Sequence, residues 1–163
     1  MTDPGPPRTA AGDRLAVQRP DTRRSVLAGV LVGIGVAAFV DEVVFHQLLQ
    51  WHHFYDRSTR EAGIFSDGLF HAVGWTAVVA GLFLFAHLRR LGTASVRRVT
   101  GGGLLGWGGF QLYDGLVQHK LLRLHQVRYD VDLLPYDLAW NGAAVAGIAV
   151  GAVLLLRARR ADR

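Results

Sequence analysis

Four apolar blocks, each about as long as the roughly 20 residues needed to cross a bilayer, are separated by charged stretches, and this pattern limits the chain to very few folds. The blocks run from Ser25 to Leu49, Leu69 to Leu88, Val99 to Leu122 and Leu138 to Leu156. Without a closed barrel, helix is the only conformation that satisfies such a backbone in lipid. The expected fold is therefore all-α: a four-helix transmembrane bundle. Abundant glycine suits close helix contact in a membrane, and Gly101, Gly102, Gly103, Gly106, Gly108 and Gly109 should give the third helix a smooth packing face.

The basic residues orient the helices. Of the 18 Lys and Arg residues, 13 lie before the first block, between the second and third, or after the fourth; these include Arg23, Arg24, Arg89, Arg90, Arg97, Arg98, Arg157 and Arg159. That bias places these segments, and both termini, in the cytoplasm. It also accounts for the net charge of +5 without invoking nucleic acid. The expected organisation is a disordered cytoplasmic tail over residues 1–24, a membrane domain over 25–157 and a basic cytoplasmic tail over 158–163. The first apolar block is too long for the core of a cleavable signal peptide.

The two halves of the chain resemble each other. Asp41-x4-His46-x-Leu48-Leu49-x2-His52 recurs as Asp114-x4-His119-x-Leu121-Leu122-x2-His125, and Asp67-x3-His71 matches Asp137-x3-Asn141. Two pseudo-repeated helical hairpins follow, related by an axis along the membrane normal, as in transporters built from parallel repeats.

Helical rise puts Asp41, Asp114, His71 and Asn141 at one depth, ~24–27 Å from the arginines at the other end of each helix. His46, His119, Asp67 and Asp137 fall in the same outer layer. Glu42 and His46 are spaced i, i+4, as are Asp67 and His71, so each pair shares a helix face. Ionisable residues in membrane helices are costly and usually face the interior or a water-filled cavity.

The chain has no Cys and one Met, which excludes disulfides, iron–sulfur clusters and soft copper(I) sites. Imidazole and carboxylate remain, a ligand set for Zn, Fe, Mn or Cu(II). The expected metal ligands are His46, His119, His71, Asp41, Asp114, Asp67 and Asp137, with His52 and His125 as loop members. Glu42 is the candidate base should the site hydrolyse a substrate; Ser66 beside Asp67 is similar to the Ser, Asp and His sets of membrane-embedded hydrolases, but those have more helices and a different motif order.

Three rival readings stay open. One is a b-type haem protein with His46 and His119 as axial ligands. Another is a proton relay. The third is a non-enzymatic partner in a respiratory or transport assembly, with the polar layer as a binding surface. Phosphate loops, nucleotide fingerprints and nucleophile elbows are absent from the sequence.

The stretches FVDEVVFHQLLQWHHFY, FSDGLFHAVGW, GGFQLYDGLVQHKLLRLHQVRY and DLLPYDLAWN resemble domain-of-unknown-function family 2243, over roughly Gly29 to Leu156. The resemblance implies a multi-pass protein of the bacterial inner membrane; with the orientation above, the polar layer would face outside. It brings no activity, substrate or ligand with it.

Overall fold

The computed structural model describes residues 19–161. Residues 1–18 of the expected N-terminal tail and residues 162–163 lie outside the described residues. The described chain is helical: α1 (Thr22–Val40), α2 (Arg60–Arg90), α3 (Val96–Tyr113) and α4 (Leu134–Ala161). The inner helices α1 and α3 each continue without a break into an eight-residue π-helical segment, π1 (Asp41–Leu48) and π2 (Asp114–Leu121).

Capping explains several helix boundaries. Asp21 accepts the Arg24 backbone N–H at 3.0 Å, so α1 starts three residues before the apolar block. Thr59 accepts the Ala62 N–H at the start of α2. Helix α2 ends at Leu91–Gly92, where Gly92 takes φ +69°. His87, Arg89 and Arg90 sit in its last turn, and Arg159 and Arg160 in that of α4, where cations complement the helix dipole. The basic stretch expected as a tail after residue 157 is thus helical as far as Ala161.

Three rods are long and apolar enough to cross a membrane: Thr22–Leu48, Arg60–Arg90 and Leu134–Ala161. The third rod in chain order, Val96 to Leu121, falls short because glycines and the stripe Gln111, Asp114 and Gln118 dilute its apolarity.

The helices do not close into a ring. Helix α1 packs on α3 and α2, and α3 packs on α4; no extended α2–α4 packing occurs among the described residues. The order across the molecule is α2–α1–α3–α4, with the two flanking helices apart. Glycine is the cause of the central pairing. A Cβ on Gly29 would run into the Val99 carbonyl, and one on Gly33 into that of Gly103. From the other side, Gly102 and Gly106 press on the Val26 and Val30 carbonyls. Two small-xxx-small faces therefore bring the α1 and α3 backbones into direct contact. The outward faces of α2 (Phe65, Leu69, Val73, Phe83) and α4 (Leu138, Val145, Val150, Leu156) stay exposed and apolar, as lipid contact demands.

Candidate metal centre

An ordinary α-helix turns residues five apart well off a common face. A π-helix closes its hydrogen bonds over five residues, so i and i+5 stand one above the other. Both π-helical segments begin with aspartate and carry histidine at the sixth position, Asp41 with His46 and Asp114 with His119. The hydrogen bonds that end them also correspond at an offset of 73. Leu49 N–H donates to Val44 O at 2.9 Å, and Leu122 N–H to Val117 O at 2.7 Å. Trp51 donates to Phe45 O and Leu124 to Gln118 O, both at 2.9 Å. Gln50 (φ 49°) and Arg123 (φ 50°) then turn the chain through the left-handed region, which costs a non-glycine residue of order 1 kcal/mol or more.

That sharp turn folds each loop back over the helix ends and delivers a second histidine. His52 Nε2 lies 4.0 Å from Asp41 Oδ1, and His125 Nε2 lies 3.5 Å from Asp114 Oδ1. His46 Nε2 is 3.7 Å from Asp41 Oδ2, and His119 Nε2 is 2.9 Å from Asp114 Oδ2. All six side chains are almost fully buried, with 1–4% exposure. The ring centroids of His46 and His52 are 4.6 Å apart, and those of His119 and His125 are 4.7 Å apart. Between the pairs, His52 and His125 stack at 4.6 Å, nearly parallel at 5°. The crossed separations His46–His125 and His52–His119 are both 6.2 Å.

The outer nitrogens set the tautomers. His52 Nδ1 lies 2.9 Å from the Val127 carbonyl, and His125 Nδ1 lies 2.9 Å from the Phe54 carbonyl. A carbonyl only accepts, so each Nδ1 carries the proton and donates it, leaving a bare lone pair on Nε2. Burial, reinforced by the His125 and His46 rings, pushes the His52 imidazole well below its ordinary pKa and keeps it neutral. On His46, Nδ1 meets Glu42 Oε2 at 2.9 Å and Asp67 Oδ1 at 3.1 Å. Donation to these carboxylates again directs Nε2 toward Asp41.

The result is a set of buried polar atoms without hydrogen-bond partners. Nε2 of His46 and His52 belongs to it, with Asp41 Oδ1; in the second half His119 Nε2 and Asp114 Oδ2 lie 2.9 Å apart, close enough to pair with each other when Nε2 holds the proton. Orphaned buried polar atoms are rare in folded proteins and costly. Lone pairs and carboxylate oxygens converging in this way fit a cation. Metal–nitrogen and metal–oxygen bonds of about 2.0–2.2 Å in tetrahedral geometry place ligand atoms roughly 3.4 Å apart; the Asp–His separations here bracket that value. Two groups could thus hold an ion: Asp41 with His46 and His52, and Asp114 with His119 and His125, their ligand atoms within 4.8 Å of one another.

Glu42, His46 and Asp67 form a third close group, but it uses the other nitrogen of His46. Asp67 also accepts the Phe54 N–H at 2.7 Å and meets His53 Nδ1 at 2.6 Å, and Glu42 accepts from Gln47 Nε2 at 2.7 Å. With their lone pairs engaged in this way, the two carboxylates orient His46 from behind. The second half differs. Gly115 occupies the position corresponding to Glu42, and His119 Nδ1 has no hydrogen-bond partner.

Three expected residues lie apart from these groups. The His71 ring sits against Phe39 (5.9 Å) and Trp75 (6.4 Å). Asp137 is ion-paired with Lys120 at 2.6 Å, and Asn141 donates back to the Asp137 carbonyl of its own helix. Ser66 donates to Gly63 O and accepts the Tyr55 N–H, which makes it a loop anchor. Sequence reasoning leaves His53 open between the site and a solvated loop, and misses Gln47 and the carbonyls of Phe54 and Val127. The carbonyls carry no side-chain signal; the Asp67-to-His53 spacing across a loop carries none either.

A family model described as "Predicted membrane protein (DUF2243)" matches residues 28–158. No curated protein and no solved structure matches the chain.

Proposed function

This chain belongs to the DUF2243 family of predicted membrane proteins, and from that premise we propose that it is a metal-handling membrane protein holding a pair of transition-metal ions at the outer ends of its helices. One ion sits among Asp41, His46 and His52, the other among Asp114, His119 and His125. The observation that carries this reading is the convergence of four buried imidazole Nε2 atoms on two buried aspartates, three of the imidazoles with their tautomer set from behind and Asp41 Oδ1 with the Nε2 atoms of His46 and His52 left without hydrogen-bond partners. Hydrogen bonds that connect helices leave no such remainder. Imidazole and carboxylate donors with no thiolate select Zn, Fe, Mn or Cu(II). The equal offset of 73 between the Asp–His–His ligands, and between the turns and hydrogen bonds that end the π-helical segments, supports two pseudo-repeated hairpins, each supplying one half. The arginine bias supports a cytoplasmic position for both termini and an outward-facing centre.

The rival chemistries fit less well. A porphyrin between His46 and His119 would need the space that the stacked His52 and His125 rings occupy. Hydrolysis would need a carboxylate base beside a metal-bound water, whereas Glu42 is engaged behind His46, on Nδ1.

The test is elemental analysis of protein purified without chelator and reconstituted with each metal in turn. About two ions per chain are expected, falling to about one in His46→Ala or His119→Ala and to none when both are changed. Retention of wild-type stoichiometry by the double variant, or a wild-type protein that stays metal-free, overturns the reading.

A further inference from the structure

At the end of the molecule opposite the histidines, two cavities of about 400 and 340 Å³ share Thr22 and Arg98 as walls. The larger lies where the first turns of α1 and α3 meet the last turn of α4. Arg23, Arg98 and Arg159 line its upper part. Val26 and Val30 of α1, one turn apart on a single face, and Leu155 of α4 line its lower part. The smaller cavity adds Arg19 and Pro20. Among the described residues no carboxylate lines either cavity; the nearby Asp21 caps α1 and pairs with Arg24 at 3.6 Å.

Four arginines thus border the two adjoining cavities, and the larger turns apolar as it runs down between transmembrane helices. A guanidinium suits phosphate better than an ammonium does, because its fork donates two parallel hydrogen bonds to one anion. Basic pockets between membrane helices are the setting in which anionic lipid headgroups are held. The apolar wall distinguishes this space from a simple anion site, since a free phosphate has nothing to place against Val26, Val30 and Leu155. Their side chains lie about one to two helical turns from Arg23, which is the depth of the upper acyl chain below a headgroup.

We propose that this space binds one anionic phospholipid, its phosphate among Arg19, Arg23 and Arg159 and an acyl chain along Val26, Val30 and Leu155. The site is independent of the metal centre and does not rest on it. It ties α1, α3 and α4 together at the arginine-rich end, where α1 and α4 share no extended packing among the described residues.

The test is native mass spectrometry of the detergent-solubilised full chain. It is titrated with phosphatidylglycerol, with phosphatidylcholine of the same acyl chains, and with inorganic phosphate. One phosphatidylglycerol per chain should be retained, with phosphatidylcholine weaker by tenfold or more and inorganic phosphate failing to displace it. Arg23→Gln with Arg159→Gln removes two exposed side chains and should weaken phosphatidylglycerol roughly thirtyfold, from about fivefold for each arginine near an anionic lipid surface. Arg89→Gln with Arg90→Gln removes the same charge outside the cavities and should leave binding unchanged. Equal retention of the two lipids, displacement by inorganic phosphate, or equal losses in the two double variants overturns the proposal.

Discussion

Changing Glu42 to glutamine separates the two halves of the centre with almost no change in shape. Glu42 Oε2 accepts from His46 Nδ1 at 2.9 Å while Oε1 accepts from Gln47 Nε2 at 2.7 Å. An amide has one accepting oxygen, so one of these donors must face an NH2 group. His46 then loses either its hydrogen bond or the basicity that a carboxylate lends to an imidazole ligand. Outer partners of metal-bound histidines are worth 10–100-fold in affinity, about 1.4–2.7 kcal/mol. Asp67 still accepts from the same Nδ1 at 3.1 Å, which points to the lower end, about tenfold. Adding Asp67→Asn should carry the loss toward a hundredfold. In the other half, Gly115 stands where Glu42 does and His119 Nδ1 has no partner to lose. Chelator-competition titration of the solubilised protein should therefore resolve two binding steps in the wild type, and Glu42→Gln should shift one of them. Equal shifts of both steps, or none, would refute the assignment of Glu42 as an orienting residue for a single ion.

Other outcomes follow from the same geometry. His71→Ala and His87→Ala should retain full metal occupancy by elemental analysis, since His71 packs on aromatic rings and His87 is exposed. Gly33→Ala should lower the detergent-phase Tm by the equivalent of about 1–3 kcal/mol of overpacking, whereas Gly68→Ala, with open space around it, should be neutral or slightly stabilising. Stripping the metal should speed hydrogen exchange in loops 49–59 and 122–133 while the α1–α3 contact stays protected. Reporter fusions in loop 91–95 or after residue 163 should read cytoplasmic, and fusions near Arg60 or Asp130 should read outside.

The helical content and the polar layer were legible because both depend on one-dimensional quantities, apolar length and rise per residue. The paired Asp–His–His spacing was legible for the same reason. Direction around the helix was not. Depth places His71 level with Asp41, yet its ring lies against Phe39 and Trp75, while Asp67, one turn earlier on α2, is the residue that reaches His46. A ring-shaped bundle would have drawn all four helices inward; the glycine faces of α1 and α3 instead make a row. The π-helical turns were hidden as well. Under α-helical spacing Glu42 is the natural neighbour of His46, and it is one, but Asp41 reaches the opposite edge of the ring only because the turn widens. His52 and His125 looked like loop residues and are; their burial comes from left-handed turns at Gln50 and Arg123, residue types that do not announce such a conformation.

The loops clasp one another crosswise. His52 is held by the Val127 carbonyl, His125 by that of Phe54, and the Asp56 N–H by the Leu124 carbonyl. Each loop is therefore the other's mould. A single hairpin can insert in the bilayer and satisfy its own helices, but it cannot set the tautomer of its own loop histidine. The ion-ready arrangement appears only after the α1–α2 and α3–α4 halves have met, which makes it the last element of the protein to mature. A chain severed between residues 91 and 95 and expressed as two fragments would report this directly, since metal capture would then depend on reunion of the pieces.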